Sequence, residues 1–386
     1  MDLPDKIISF IDALGVVQGL LFGLMLVSIH SKKSKPTLYL GLFIMLFSLE
    51  PIPNILHDLK LLEKFPQLEL LPVGFHFLAY PLLLIYIEKI SIFNKRKIRK
   101  WTLYPGYFEV IFAVIVFFLP THIKLEIKDS YLAILYFILG LSYAIFISYL
   151  ILKRLHKHIV ELENQYTLVY DKKLVWFKQF IYVSILFHVL LLLNFFIENH
   201  VLYTWISILN VVLIYWVSYK GIVQDNVGAL TWEERLNSKL PSHKDILGGS
   251  KRTSATKGTK LNLTNDNASN LISKEEATVI FAKIEDHVKK SECYLNDKLT
   301  IIDIAEAIHI HPKRISYCIN SIASLNFNNY INFYRVKLAK ELLKSEEMEN
   351  LSIKGIGLEA GFHSKTSFYN AFKRFEKMTP AQYKNL

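Results

Sequence analysis

The sequence predicts an all-α chain: a seven-helix transmembrane bundle, then a cytoplasmic helical domain with two helix-turn-helix units. Three observations lead there. Among 386 residues 52% are apolar and mean hydropathy is +0.27, more than a water-soluble fold of this length can bury. Seven apolar runs, each close to the roughly twenty residues that cross hydrocarbon, fall within residues 1–219. From residue 273 the pattern changes to short amphipathic helices, and one helix-turn-helix arrangement recurs about 52 residues after its first occurrence. The expected division is a membrane bundle over 1–219, a flexible cytoplasmic linker over 220–272 and a helical domain over 273–386.

The apolar runs are 7–29, 37–56, 72–90, 101–120, 130–152, 175–197 and 201–219. The first is read as a retained helix, because its flank Asp2-Leu3-Pro4-Asp5-Lys6 is not basic and no small-residue cleavage site follows. Orientation comes from the loops, since Lys and Arg stay on the cytoplasmic side during insertion. The first, third and fifth loops hold 14 of them, including Lys32, Lys89, Arg96, Lys153 and Lys173, against 5 in the N-terminus and the even loops. The N-terminus is therefore expected outside, and everything after residue 219 in the cytoplasm.

An ionisable group at the centre of a span costs about 2.5–3.5 kcal/mol, so each one calls for a reason. Asp12, Glu50, His76, Glu109 and His188 lie in these runs, together with Asn194 and Asn210. Asp12, Glu50, His76 and Asn194 fall in the outer half. Two readings stand: a polar cavity open to the outside that takes a small-molecule or membrane-derived ligand, or polar cross-links between packed helices. Pro51 and Pro53 are expected to end or kink the second span.

Residues 248–270 are a Gly/Ser/Thr/Asn/Lys stretch with only Leu261 and Leu263 to bury, and cannot build a core. Just before them, Thr231-Trp232-Glu233-Glu234-Arg235 has the pattern of a capped juxtamembrane helix or of a tether.

In the last part, Ser273 caps a helix with Val279, Ile280, Ile284 and Val288 on one face, and Thr300 caps another with Ile301, Ile304, Ala305 and Ile308 inward. His309-Ile310-His311 leads to Pro312, a favoured first helical residue. The helix that follows buries Ile315, Ile319 and Ile322 and presents Lys313, Arg314, Ser316, Tyr317 and Asn320. In the second unit Ser352 caps residues 353–360, Gly361-Phe362 turns, and Ser364 caps a helix with Phe368, Phe372 and Phe375 inward. Its outer face shows Lys365, Thr366, Tyr369, Asn370, Lys373 and Arg374. A continuous helix over 328–344 spaces the two units. Basic and amide side chains on two such helices suit phosphate anchoring and base-edge contact.

Several classes of function are excluded or unsupported. Two cysteines, Cys293 and Cys318, both in the polar part, rule out a secreted disulfide scaffold. His156, His158, His309 and His311 lack the partners of a metal site. Nothing matches a phosphate-cradling loop, a zinc-protease helix or a nucleophile elbow, so no enzyme, cofactor or metal is expected.

The stretch 294–384 resembles the AraC-type DNA-binding domain. The resemblance runs through Asn326-Phe327-x-x-Tyr330-Ile331-Asn332-x-x-Arg335-x-x-x-Ala339-x-x-Leu342-Leu343, then Ile356-Gly357-x-Glu359-Ala360-Gly361-Phe362-x-Ser364-x-Thr366-Ser367-Phe368, Phe372-Lys373-Arg374 and Thr379-Pro380-x-x-Tyr383. It implies seven helices, two recognition helices in successive major grooves of double-stranded DNA, and transcriptional control. It places base reading on Lys313, Ser316, Tyr317 and Asn320, and on Lys365, Thr366, Tyr369 and Asn370. Arg314 also belongs to the DNA-facing set, and Arg335, Lys373 and Arg374 are assigned to phosphate or domain-internal contacts. Three positions depart from the pattern: His309 where a turn favours Gly or Asn, Ser324 where Gly is common, and Lys377 in place of a Gly.

The membrane part is similar to the multi-span sensor regions of some bacterial members of that family. The implied protein is a one-component regulator in the bacterial inner membrane, with lipid, DNA, a ligand and a second copy of the chain as partners. The alternatives are a membrane receptor or transporter whose helical domain engages a protein, and a regulator released by cleavage in the linker.

Overall fold

The structure is a computed structural model that describes residues 3–30, 36–93, 100–167, 169, 173–197, 199–223, 273–348 and 350–386. Outside these lie the linker from residue 224, with the helix expected at 231–235 and the stretch 248–270, and the basic positions 32–35, 95–99 and 172. Two compact units form: residues 1–158 with 174–228, and residues 159–173 with 229–386.

The first unit contains α1 (Leu3–Met25, prolonged by a π-helical turn Leu26–His30), α2 (Thr37–Leu49), α3 (Ile52–Asp58), α4 (Leu61–Lys64) and α5 (Ala79–Ile90). It continues with α6 (Tyr104–Phe117), α7 (Thr121–Lys128), α8 (Tyr131–Gln165, its last turns in the second unit), α9 (Val175–Ile197) and α10 (His200–Val223). Pro51 marks the break between α2 and α3, as its ring and missing N–H require. Helix α10 runs through the first four residues of the expected linker.

Among the described residues six stretches are helical, long and apolar enough to cross a membrane: Ile7–Ser28, Thr37–Asp58, Lys100–Phe117, Tyr131–Gln165, Val175–Ile197 and His200–Val223. Their outward faces are apolar; on α1, Phe10, Leu14, Val17, Leu21 and Leu24 recur at helical spacing and are exposed. The opposite face of α1 carries Gly15, Gly19 and Gly23. A Cβ on Gly19 would stand 2.3 Å from Ser48 Cβ, and one on Gly23 2.3 Å from Met45 Cγ. Gly19 and Gly23 let α1 and α2 approach backbone to backbone, whereas Gly15 faces Val211 of α10.

The expected third apolar run folds differently from the rest. Only α5, twelve residues long, is helical, and it is buried on nearly every side; the preceding residues 71–78 are non-helical. The stretch still joins opposite ends of the bundle. At one end the segment after α2 meets α7, through Lys124 Nζ donating to Gln67 O (2.6 Å) and Glu69 O (3.0 Å), and a Lys128–Glu69 ion pair (3.1 Å). At the other, Ile92 N donates to His158 Nδ1 (3.2 Å), and Arg154 lies over Phe93. Twelve helical residues rise about 18 Å, and the non-helical residues ahead of them carry the chain the rest of the way between these two ends.

The second unit is helical, with α11 (Lys274–Ser291), α12 (Ile301–Ile308), α13 (Pro312–Ala323), α14 (Phe327–Lys344), α15 (Ile353–Glu359), α16 (Lys365–Glu376) and α17 (Pro380–Lys384). Local chemistry starts them. Ser273, Thr300, Ser352 and Ser364 each accept the N–H three residues on; Thr300 with Asp303, and Ser364 with Ser367, close reciprocal capping boxes. Two apolar clusters follow, one around Ile284, Ile304, Ile319 and Ile331, the other around Ala339, Ile356, Phe368 and Phe372, with α14 serving both. Two residues expected inward point out: Val279 is 57% exposed and Ile322 41%.

Candidate functional site

Each helix-turn-helix unit is built from a capped helix, a left-handed turn residue and a second capped helix. In the first, His309 takes φ 56° as C-cap of α12. His311 Nδ1 then caps α13 by accepting the Lys313 N–H at 3.2 Å. Burial, with Lys313 and Arg314 alongside, pushes the His311 pKa below its ordinary value, which keeps the ring neutral and able to accept. In the second, Gly361 takes φ +86° and Ser364 caps α16. All three departures noted in the sequence, His309, Ser324 (φ 54°) and Lys377 (φ 62°), adopt the left-handed conformation that glycine takes without strain.

The side chains of the two second helices divide by exposure. Lys313, Asn320, Lys365, Thr366, Asn370, Lys373 and Arg374 are exposed; Arg314, Ser316, Tyr317 and Tyr369 are half-buried beside them. Several are already engaged. Arg314 pairs with Glu276 of α11, and Asn320 Nδ2 donates to Ser316 O (2.8 Å). Lys365 Nζ lies 5.3 Å from the centre of the Tyr369 ring, and Arg374 donates to Asn329 Oδ1 (3.0 Å). Lys365, Thr366, Asn370 and Lys373 form one exposed basic and amide-bearing face on α16.

Arg335 does not belong to this face. It is 3% exposed, with Nε donating to Tyr294 O (2.6 Å), one terminal nitrogen to Asn296 O (2.8 Å) and the other to Asn332 Oδ1 (3.3 Å). Its guanidinium holds the segment before α12 against α14, a geometry that fits the domain-internal one of the two contacts expected for it.

The polar residues of the first unit separate into groups. Glu50, His76 and His188 surround a cavity of only about 20 Å³, with His76 Nδ1 4.0 Å from Glu50 Oε1. Tyr80 bonds Ser184 there and lies 3.4 Å from His188 Nδ1. Space for about one water suits a cross-linked interior, not a ligand of ordinary size. Glu109 accepts the main-chain N–H groups of His76 (2.9 Å) and Phe77 (3.0 Å) and the Tyr136 hydroxyl (2.6 Å). It thereby satisfies the backbone of the non-helical residues ahead of α5. Asp12 stands apart, accepting from Tyr203 OH (3.2 Å), which itself accepts from Asn54 (2.6 Å). Asn194 Oδ1 is buried with no hydrogen-bond partner among the described residues.

A larger cavity, about 420 Å³, opens between α3, α4 and α7, with His57, Asp58, Lys60, Glu63, Glu69 and Thr121 in its wall. Sequence reasoning missed it, because 57–71 and 121–128 read as two separate loops. The available signal was the charged run His57-Asp58-Leu59-Lys60 together with the amphipathic stretch 121–128. Among the described residues no group of three or more His, Cys, Asp or Glu is placed to hold a metal ion.

Comparison with known proteins bears on the second unit alone. Residues 304–385 match a family model described as a helix-turn-helix domain. The melibiose operon regulatory protein of Escherichia coli K12 is 32% identical over 88 residues, 23% of this chain and 28% of that protein. An uncharacterized HTH-type transcriptional regulator of the same organism, YijO, is 29% identical over 105 residues, 27% of this chain and 35% of its own length. Regulatory protein PocR of Salmonella typhimurium is 25% identical over 103 residues, 27% of this chain and 33% of its own. The matched stretch thus spans about a third or less of each of these relatives. No solved structure matches the chain. The C-terminal part of this chain is an AraC-type helix-turn-helix domain, and the proteins it resembles there are transcriptional regulators rather than enzymes.

Proposed function

We propose that the chain is a membrane-embedded one-component transcriptional regulator: the first unit crosses the inner membrane and senses a cue, and the tethered domain binds promoter DNA in the cytoplasm. The observation that carries this is the pair of capped recognition helices with exposed Lys, Thr and Asn side chains, in one chain with six long apolar helices. The regulatory names of its relatives support the same reading. Fixed phosphate contacts would orient the domain, and α13 and α16 would read base edges in successive major grooves about 10–10.5 base pairs apart.

Seven crossings follow if residues 72–90 traverse the membrane as a non-helical segment plus α5. Irregular backbone at that depth is tolerated only where protein satisfies it, and Glu109 provides that satisfaction. The outer cavity then lies on the external face and is the better candidate than the Glu50–His76–His188 cluster for a soluble ligand. Reporter fusions at residues 65, 97, 200 and 225 should report outside, cytoplasm, outside and cytoplasm. A reporter at 225 outside would remove the regulator reading, because the domain could not reach DNA.

The direct test uses the fragment Ser273–Leu386, which contains both apolar clusters of its unit and carries 17 Lys+Arg against 14 Asp+Glu. It should bind duplex DNA with sequence preference. Lys365→Ala with Thr366→Ala should cost about 1–3 kcal/mol per base contact and blur one half of the site, whereas Lys373→Ala should weaken all sequences alike. A folded fragment with no sequence preference at low salt, even when dimerised for avidity, would refute the proposal.

A further inference from the structure

The segment 159–173, which follows the fifth apolar run, is packed into the second unit with the DNA-binding domain. Its contacts are specific. Thr167 donates from its N–H to Leu299 O (3.3 Å) and from its hydroxyl to Leu299 O (2.7 Å) and Asp297 O (3.1 Å). Tyr166 makes an antiparallel bridge with Thr300. In return, Asn328 Nδ2 donates to Thr167 O (2.6 Å) and Tyr166 O (3.2 Å), and Asn326 Nδ2 to Glu163 Oε2 (2.8 Å). Tyr166, Thr167 and Val169 are buried there.

The segment also reaches the recognition helix. Asn320 Nδ2, on the exposed face of α13, is shared between Ser316 and Asn164 Oδ1 (3.4 Å). An asparagine reads adenine by offering its whole amide edge; an amide held by Asn164 cannot do so.

We infer that the face formed by Asp297, Leu299, Asn326 and Asn328 is a docking surface for segment 159–173 of the same chain, and that docking withholds the first recognition helix from DNA. Undocking is then the step that a stimulus must favour, since a signal acts by biasing two arrangements with different contacts. This inference rests on the reading of α13 as a DNA-recognition helix.

The experiment uses the full chain in phosphatidylethanolamine/phosphatidylglycerol nanodiscs and a duplex selected by that protein from a random-sequence library. Thr167→Val keeps the side-chain shape and removes the hydroxyl bonds; Asn164→Ala frees Asn320 from the other end. Each should tighten DNA binding about fivefold, the factor expected for one net hydrogen bond, and Thr167→Val should speed hydrogen exchange over 159–173. Unchanged affinity in both variants while that exchange rises would overturn the inference, as would exchange in wild type already as fast as in an unstructured peptide. Failure of wild type and variants alike to select any duplex would instead overturn the DNA-binding reading, and the inference with it.

Discussion

Replacing Arg335 with alanine is expected to destabilise the C-terminal domain by about 3 kcal/mol, which in a domain of this size lowers the melting temperature by roughly 10–20 °C. The side chain is buried, and its donors serve Tyr294 O and Asn296 O. Removing them leaves two carbonyls short of partners in the interior, each worth about 1–3 kcal/mol, and opens a gap beside Phe362, whose ring lies 5.8 Å from the guanidinium. Lys373→Ala, on the exposed face of α16, should shift the same melt by less than about 0.5 kcal/mol. Thermal unfolding of Ser273–Leu386 followed by circular dichroism gives the comparison. An Arg335→Ala fragment that melts like wild type but loses DNA affinity would return Arg335 to the phosphate-contacting set.

Gly361→Ala should cost a similar amount by a different route. At φ +86° an L side chain is strained whatever the space around it, and the added Cβ would come 2.6 Å from Tyr294 O and 2.8 Å from Leu295 Cα. Both are main-chain atoms and cannot swing aside. Left-handed strain of about 1–2 kcal/mol and overpacking of about 1–3 kcal/mol together give a loss near 3 kcal/mol. The control is Gly355→Ala, four residues from Leu351 in the first turn of α15, where the nearest foreign atom would be 3.5 Å away. There alanine should be neutral or stabilising by up to about 1 kcal/mol. Urea unfolding midpoints of the two variants on opposite sides of wild type are the expected result; equal midpoints would show that the turn can shift to admit a Cβ.

Much of the helical domain was legible because its signals act over three or four residues. Thr300, Ser352 and Ser364 cap the helices that follow them because each hydroxyl reaches a free N–H within the next three residues. The alternation of Ile and Phe with Lys and Asn on α13 and α16 likewise separates a buried from an exposed face wherever the helix packs. His309, Ser324 and Lys377 stood out at turn positions, and the backbone there is left-handed. Six of the seven apolar runs fall in helical stretches long and apolar enough to cross a membrane, as a continuous apolar run of that length predicts.

What remained illegible depends on partners far away in the chain. The run 72–90 was apolar enough to be read as one helix; its first part is non-helical, with Glu109, 33 positions beyond His76, taking the free N–H groups. For Arg335 the sequence left phosphate and domain-internal contacts both open, and its acceptor, Tyr294 O, lies 41 positions earlier. The polar residues of the spans did not announce which of them meet: Glu50, His76 and His188 share one small cavity, whereas Asp12 bonds Tyr203, 191 positions away. The docking of Thr167 on Leu299 spans 132 positions and leaves no periodic trace. Composition, periodicity and capping are local properties, so the sequence alone determined most of the helices and the helix-turn-helix pattern of the C-terminal domain. Whether a buried polar group is paired depends on the free energy of one specific long-range contact, and only the tertiary structure decided that.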